Sequence, residues 1–284
     1  MIEKILLADS GKGNTEAMLK ALMQIPAIQR SQVSVLHVVP PQVSADMMTE
    51  KWEEGGKTLA KAINKLELDP ARVTAILREG DPKDVVCQVA DEIDTDLIIM
   101  GSRGLMGLKA ILDNSVSQYV FQLSSHPMLL VKDDLYSIRP VRRILVAMDK
   151  SDSAKEGLSL AIALARDIKD GQLIFVHTIS NLRGNVADAI NARPESDPVL
   201  APAIAEAKKY HINYRCAAPE GKPGARICEL AEEMNADLLI LGSPDRRPSI
   251  AKGLPDLDRL LGESLSDYVR VYAPCPVLLT RIAG

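Results

Sequence analysis

The chain has 284 residues, 46% of them hydrophobic and 25% charged, the balance of a globular protein with room for two cores. A net charge of -4 and an aromatic content of 3% argue against a nucleic-acid partner, which needs a basic footprint or stacking rings. No run approaches the roughly 20 apolar residues of a membrane span, and the opening residues carry neither a cationic segment nor a cleavage site, so the sequence predicts a cytoplasmic protein with no membrane partner.

In chain order, short apolar runs at 5–8, 33–39, 72–77, 97–100 and 128–131 read as strands buried on both faces. Helical patterns near 15–23, 49–66, 84–93 and 115–123 separate them. The order then repeats, with strands at 144–147, 173–177, 212–216, 238–241 and 277–280. The sequence itself repeats too. EGDPKDVVCQVADEIDTDLIIMGS, ending at Ser102, aligns with EGKPGARICELAEEMNADLLILGS, ending at Ser243. NSVSQYV (114–120) aligns with ESLSDYV (263–269), and HPMLLV (126–131) with CPVLLT (275–280). The opening strands also match, but ILLA-DSGKG is one residue shorter before Asp9 than ILVAMDKSD is before Asp149. Alternating strands and helices predict the fold class α/β: two tandem doubly wound parallel-sheet domains, Rossmann-like, covering 1–138 and 139–284. Such sheets take ligands at the carboxyl ends of their strands, where the strand order reverses.

The segment LIIMGSRGLMGLKAILDNSVSQYV (97–120) carries the most chemistry. A buried strand ends at Met100, glycines follow at 101, 104 and 107, and a helix begins near Ser115. Glycines let backbone N–H groups converge on an anion, and the helix start adds free N–H groups and a positive dipole end. From the local pattern alone, the segment reads equally as a ligand site or as a plain strand–helix turn capped at Asn114 or Ser115.

The GSRG loop, the nine residues after it, Ser115, the S-x-Y-V that follows and the later H-P-x-L-L-V together resemble the universal stress proteins. The likeness covers nearly the whole chain, twice. The family's nucleotide motif is G-x2-G-x9-G-(S/T); Gly101, Gly104 and Ser115 match it, and Asn114 stands at the third glycine. Asparagine is the non-glycine residue that best tolerates positive φ. The resemblance implies an adenine nucleotide (ATP, ADP or AMP, with or without Mg²⁺). Asp9 would lie near the ribose and the backbone of Val38 and Val39 near the adenine. Gly101, Gly104, Asn114, Ser115, Val116 and Ser117 would lie around the phosphates and ribose. In the second half the corresponding positions are Asp149, Gly242, Gly262 and Ser264. There Asp245 replaces the second glycine, Glu263 the third, and the segment 244–261 is eight residues longer than its counterpart. The resemblance also implies that the closing strands of the two halves pair as a pseudo-dimer; a homodimer of the whole chain stays open.

The remaining motifs are bland. His37 and His177 sit at matching strand ends and read as partly buried structural histidines. Cys87 and Cys228 read as buried small hydrophobes, and the four cysteines as free thiols. Met47 and Met48 read as core packing. Neither a metal cluster nor a nucleophile–base pair is legible from spacing. The expected protein is a stress-response regulator that binds nucleotide mainly in its first domain. The alternatives are an interaction module without nucleotide, or a slow ATPase or phosphotransfer enzyme.

Overall fold

The computed structural model describes residues 2–11, 15–102, 115–132, 137–179, 193–243 and 264–281. The first half runs β1 (Lys4–Ala8), α1 (Thr15–Met23), β2 (Gln32–Val39), α2 (Ala45–Leu66), β3 (Val73–Glu79), α3 (Pro82–Glu92), β4 (Leu97–Ser102), α4 (Val116–Leu123) and β5 (Met128–Lys132). The second runs β6 (Arg143–Ala147), α5 (Asp152–Ala165), β7 (Gln172–Val176), α6 (Ala201–Lys209), β8 (Asn213–Ala217), α7 (Pro223–Glu233), β9 (Leu238–Gly242), α8 (Leu265–Tyr272) and β10 (Val277–Thr280).

All ten strands form one sheet in the order β3-β2-β1-β4-β5-β10-β9-β6-β7-β8. Pairing is parallel within each half. The exception is the central joint, where β10 meets β5 antiparallel with Leu278 opposite Leu129. The joint covers two apolar closing strands that would otherwise be open edges. One face of the sheet packs residues of α1, α2, α5 and α6, such as Leu19, Leu59, Leu158 and Ala203. The other packs α3, α4, α7 and α8, through Val86, Phe121, Ile227 and Val269. Matching helices thus share a face while the strands of the two halves run oppositely. A pseudo-twofold axis normal to the sheet produces this arrangement.

Two repeated features tie each half together and to its mate. Asp96 accepts from the backbone N–H groups of Glu3 and Lys4 at 2.7 and 2.9 Å, and Asp237 does the same for Arg142 and Arg143 at 3.1 and 2.9 Å. These aspartates pin the amino end of the first strand of each half to the start of the fourth. At the joint, Lys132 ends β5 and Arg281 directly follows β10, and both are buried. The Lys132 Nζ donates to the Ala273 carbonyl at the end of α8, 2.5 Å away. Arg281 donates to the Phe121 carbonyl in the last turn of α4 and lies over the Phe121 ring, 4.5 Å from its centroid. Each half thus sends a cation into the other half's helix C-terminus, where orphan carbonyls and the dipole favour it. Burial holds the Lys132 ammonium below its ordinary pKa.

Four expectations change. Helix α2 begins at Ala45, because the Ser44 hydroxyl caps Met47 N at 3.3 Å. That places Met47 on a helix flank at 45% exposure, so it is not core packing. Helix α3 begins at Pro82, behind the cap from Asp81 to Lys83 N. Cys87 is half-buried where Cys228 is buried. All four thiols are free, with burial raising them to about 11, and to about 12 for Cys275.

Candidate functional site

In the first half the strand order reverses at β1, which is flanked by β2 on one side and β4 on the other. Ala8 pairs with Leu36 and Met100, so Asp9 leaves β1 beside the carboxyl ends of both neighbours. Its backbone N–H donates to the Leu36 carbonyl, and its own carbonyl accepts from His37 Nδ1, both at 2.9 Å. The side chain is 5% exposed, and its Oδ1 has no hydrogen-bond partner. Burial is the main cause that raises its pKa, and Glu16 pushes the same way. A backbone hydrogen bond from Gly11, His37 and Lys65 oppose it. Nearby, the Thr15 hydroxyl is also buried without a partner, while Glu16 is paired with Lys65 at 3.0 Å. A buried carboxylate oxygen with nothing to accept from costs free energy, so it marks a place where an incoming donor is rewarded.

Strand β2 continues three residues past its last partner on β1, pairing there only with β3. The backbone of Val38 and Val39 therefore projects over the crevice, with the Val39 carbonyl already taken by Gly80 N at 3.1 Å. On the other flank, Gly101 and Ser102 end β4 opposite Val131 and Lys132. Helix α4 runs back from this edge to reach β5. Ser115 is its N-cap residue in extended conformation, yet its side chain makes no capping bond. The Ser115 and Ser117 hydroxyls are buried and touch only at 3.5 Å. The Gln118 Oε1 is buried without a partner, and Val116 packs into the core below. Asp9, Val38, Val39, Gly101, Ser115, Val116 and Ser117 thus all stand at one sheet edge. Gly104 and Asn114 lie outside the described residues.

The second half is built differently at each matching point. Strand register puts Met148, not Asp149, level with Asp9: Met148 N donates to Val176 O as Asp9 N does to Leu36 O. Asp149 stands level with Ser10, is exposed, and accepts from Ser151 N and Oγ at 2.8 and 2.5 Å. Strand β7 stops at Val176, level with the end of β6. His177 then turns its Nδ1 to the buried Asp197, 2.6 Å away. Gly242 lies against the start of α5; a Cβ there would sit 2.5 Å from Ala154 N and 2.6 Å from Ser153 C. That glycine is required by packing. The Ser264 hydroxyl caps α8 by accepting from Asp267 N at 3.2 Å and donates to the Asp267 carboxylate at 2.6 Å. Asp267 also faces Arg270 at 3.6 Å. A carboxylate therefore already occupies the helix N-terminus that a phosphate would seek. Gly262, Glu263 and the 244–261 insertion lie outside the described residues.

Sequence reasoning missed the Gln118/Asp267 difference, although it stands in the aligned NSVSQYV and ESLSDYV segments. It missed the Asp197 partner of His177, which stands 20 positions further along the chain. Among the described residues, no group of three or more His, Cys, Asp or Glu could hold a metal ion. No described helix is long and apolar enough to cross a membrane.

The universal stress protein family pattern matches residues 1–132 and again 140–281. The chain belongs to that family. Universal stress protein YxiE of Bacillus subtilis is 30% identical over 148 residues, 46% of this chain and all of that protein. Universal stress protein Sll1654 of Synechocystis is 34% identical over 141 residues, 49% of this chain and 84% of the relative. Both match about one half of this chain. A crystal structure of a universal stress protein from Archaeoglobus fulgidus matches 98% of it and 96% of its own chain, with 25% identity and a TM-score of 0.76. The fold is thus shared along nearly the whole chain with a solved relative.

Proposed function

We propose that this tandem universal stress protein binds one adenine nucleotide (ATP, ADP or AMP), in the crevice of its first half. The observation that carries the reading is the set of uncommitted polar atoms at that edge. Asp9 Oδ1 and Gln118 Oε1 are buried without hydrogen-bond partners and the Ser115 hydroxyl leaves its helix uncapped, whereas in the second half Asp149 closes a turn on Ser151 and Ser264 caps its helix. In this reading Asp9 accepts from a ribose hydroxyl. The projecting backbone of Val38 and Val39 meets the adenine. The Gly101–Gly104 loop, Asn114 and the start of α4 receive phosphate. Mg²⁺ would reach this site on the nucleotide. The division into domains 1–138 and 139–284 separates a binding half from a half that keeps the fold with a degenerate motif. The protein then acts as a nucleotide-dependent regulator in the cytoplasm, where its four free cysteines stay reduced.

Isothermal titration of the full chain with ATP, ADP and AMP tests the reading. Saturable binding is expected, and Asp9→Asn should weaken it roughly tenfold or more, the worth of a hydrogen bond to a charged group. No heat of binding at millimolar nucleotide would overturn it.

A further inference from the structure

The pseudo-twofold axis relates two clefts, and the described residues fill only one. The filled cleft lies between α1 and the amino edge of the second half, around Ala236, Asp237 and Pro274. Residues 137–142, which join the two halves, run through it. Ile138 packs onto the core, and Val141 is buried there. Arg139 reaches Asp237 at 3.2 Å and points toward the Ala236 carbonyl at 3.5 Å. Only about 240 Å³ of the cleft remains open.

Its counterpart lies between α5 and the amino edge of the first half, and is a groove of about 1290 Å³. Thr95 and Asp96 stand where Ala236 and Asp237 stand, and Ser125–Pro127 where Pro274–Pro276 stand. The groove is lined by apolar groups from both sides, including Ile2, Ile28 and Leu160. Asp96 holds two backbone N–H groups as Asp237 does, yet among the described residues it has no ion-pair partner. Glu156 adds negative charge along the α5 side, while Asp167 is paired there with Arg166 at 3.2 Å.

We propose that this groove is a docking site for an extended peptide segment of another protein, one that carries an aliphatic residue followed directly by arginine. The linker shows how such a segment fits the twofold-related surface: the aliphatic side chain enters the apolar floor and the guanidinium meets the aspartate. A carboxylate–guanidinium pair supplies orientation as well as attraction. A second copy of this chain cannot offer its own linker without vacating its own cleft. The partner is therefore a different protein.

The test uses a fluorescein-labelled peptide with the sequence of residues 137–142, titrated against the full chain and read by anisotropy. Saturable binding with Kd below about 1 mM is expected, within the range of short extended ligands. Arg139→Ala in the peptide, Asp96→Asn in the protein, and Ala163→Arg on the half-buried wall of α5 should each weaken it at least tenfold. If Ala163→Arg disturbs the circular dichroism spectrum, the first two changes decide. Three results would overturn the proposal. One is no saturation up to 1 mM peptide; another is binding indifferent to the peptide Arg139→Ala change. The third is a dimer of the whole chain, seen by sedimentation, that Ala163→Arg dissolves.

Discussion

At the start of α4, Ser115 leaves the helix uncapped, its hydroxyl meeting only that of Ser117 at 3.5 Å, and Gln118 leaves its carbonyl oxygen bare. At the start of α8, Ser264 caps the helix and Asp267 supplies the negative charge that the helix end attracts. The same contrast holds along the whole carboxyl edge. Asp9 is buried with an oxygen unpaired, whereas Asp149 is exposed and closes a turn on Ser151. Strand β2 projects past its neighbour, whereas β7 stops level with its own. One fold, repeated, leaves a strand-end carboxylate buried and short of a partner at one edge, and places its counterpart in a solvent-exposed turn at the other. The lesson is that polar saturation, more than fold, decides where a repeat protein can still bind.

Packing gives the largest effects that can break this comparison. Gly242→Ala should cost about 3 kcal/mol, since its Cβ meets backbone that cannot step aside. Urea denaturation followed by circular dichroism would show it. A cost below about 0.5 kcal/mol would return that glycine to a ligand-facing role. The exchange of cations at the joint is similarly unequal. Arg281→Met should cost about 3 kcal/mol, because the buried Phe121 carbonyl and the Ser243 hydroxyl lose a charged donor. Lys132→Met should cost about 1 kcal/mol, since burial already disfavours its charge. Equal losses in the same denaturation assay would mean that the two crossings are equivalent.

Capping separates the halves at a smaller scale. Ser264→Ala should lose about 1 kcal/mol, the usual worth of an N-cap, and Ser115→Ala only a few tenths. Similar losses for both would show that Ser115 caps its helix after all. Asp9→Asn should stabilise the protein without ligand. Its carboxyl has a raised pKa in the folded state, so the stability linked to its proton is full below the unfolded value. That stability is lost as pH rises through the folded one. Melting temperatures of the variant should therefore exceed those of the natural chain at neutral pH and converge with them near pH 3. A variant less stable at pH 7 would mean that the Gly11 hydrogen bond to the carboxylate outweighs the cost of burying its charge.

Much of this was legible in the sequence. The repeat and the buried strands dictate two doubly wound halves, because alternation of apolar strands and helices leaves few other solutions. The position of the crevice follows from the same pattern. The unequal halves were harder to read. Asp9 and Asp149 look equivalent by residue type, and only strand register shows that Asp9 matches Met148. Glycine at 242 looks like a motif remnant, and only the approach of α5 shows its packing role. Lys132 and Arg281 carry no signal in the local pattern, and only the antiparallel joint places helix carbonyls beside them. Each depends on contacts between segments far apart in the chain, which local pattern does not carry.

The most direct measurement is the stoichiometry of ATP, ADP or AMP on the full chain by isothermal titration, repeated with Ser115→Ala and Ser264→Ala. The account predicts one nucleotide per chain, bound roughly tenfold more weakly by the Ser115 variant and unchanged in the Ser264 variant. Two nucleotides per chain, or one whose affinity falls only with Ser264→Ala, would contradict it.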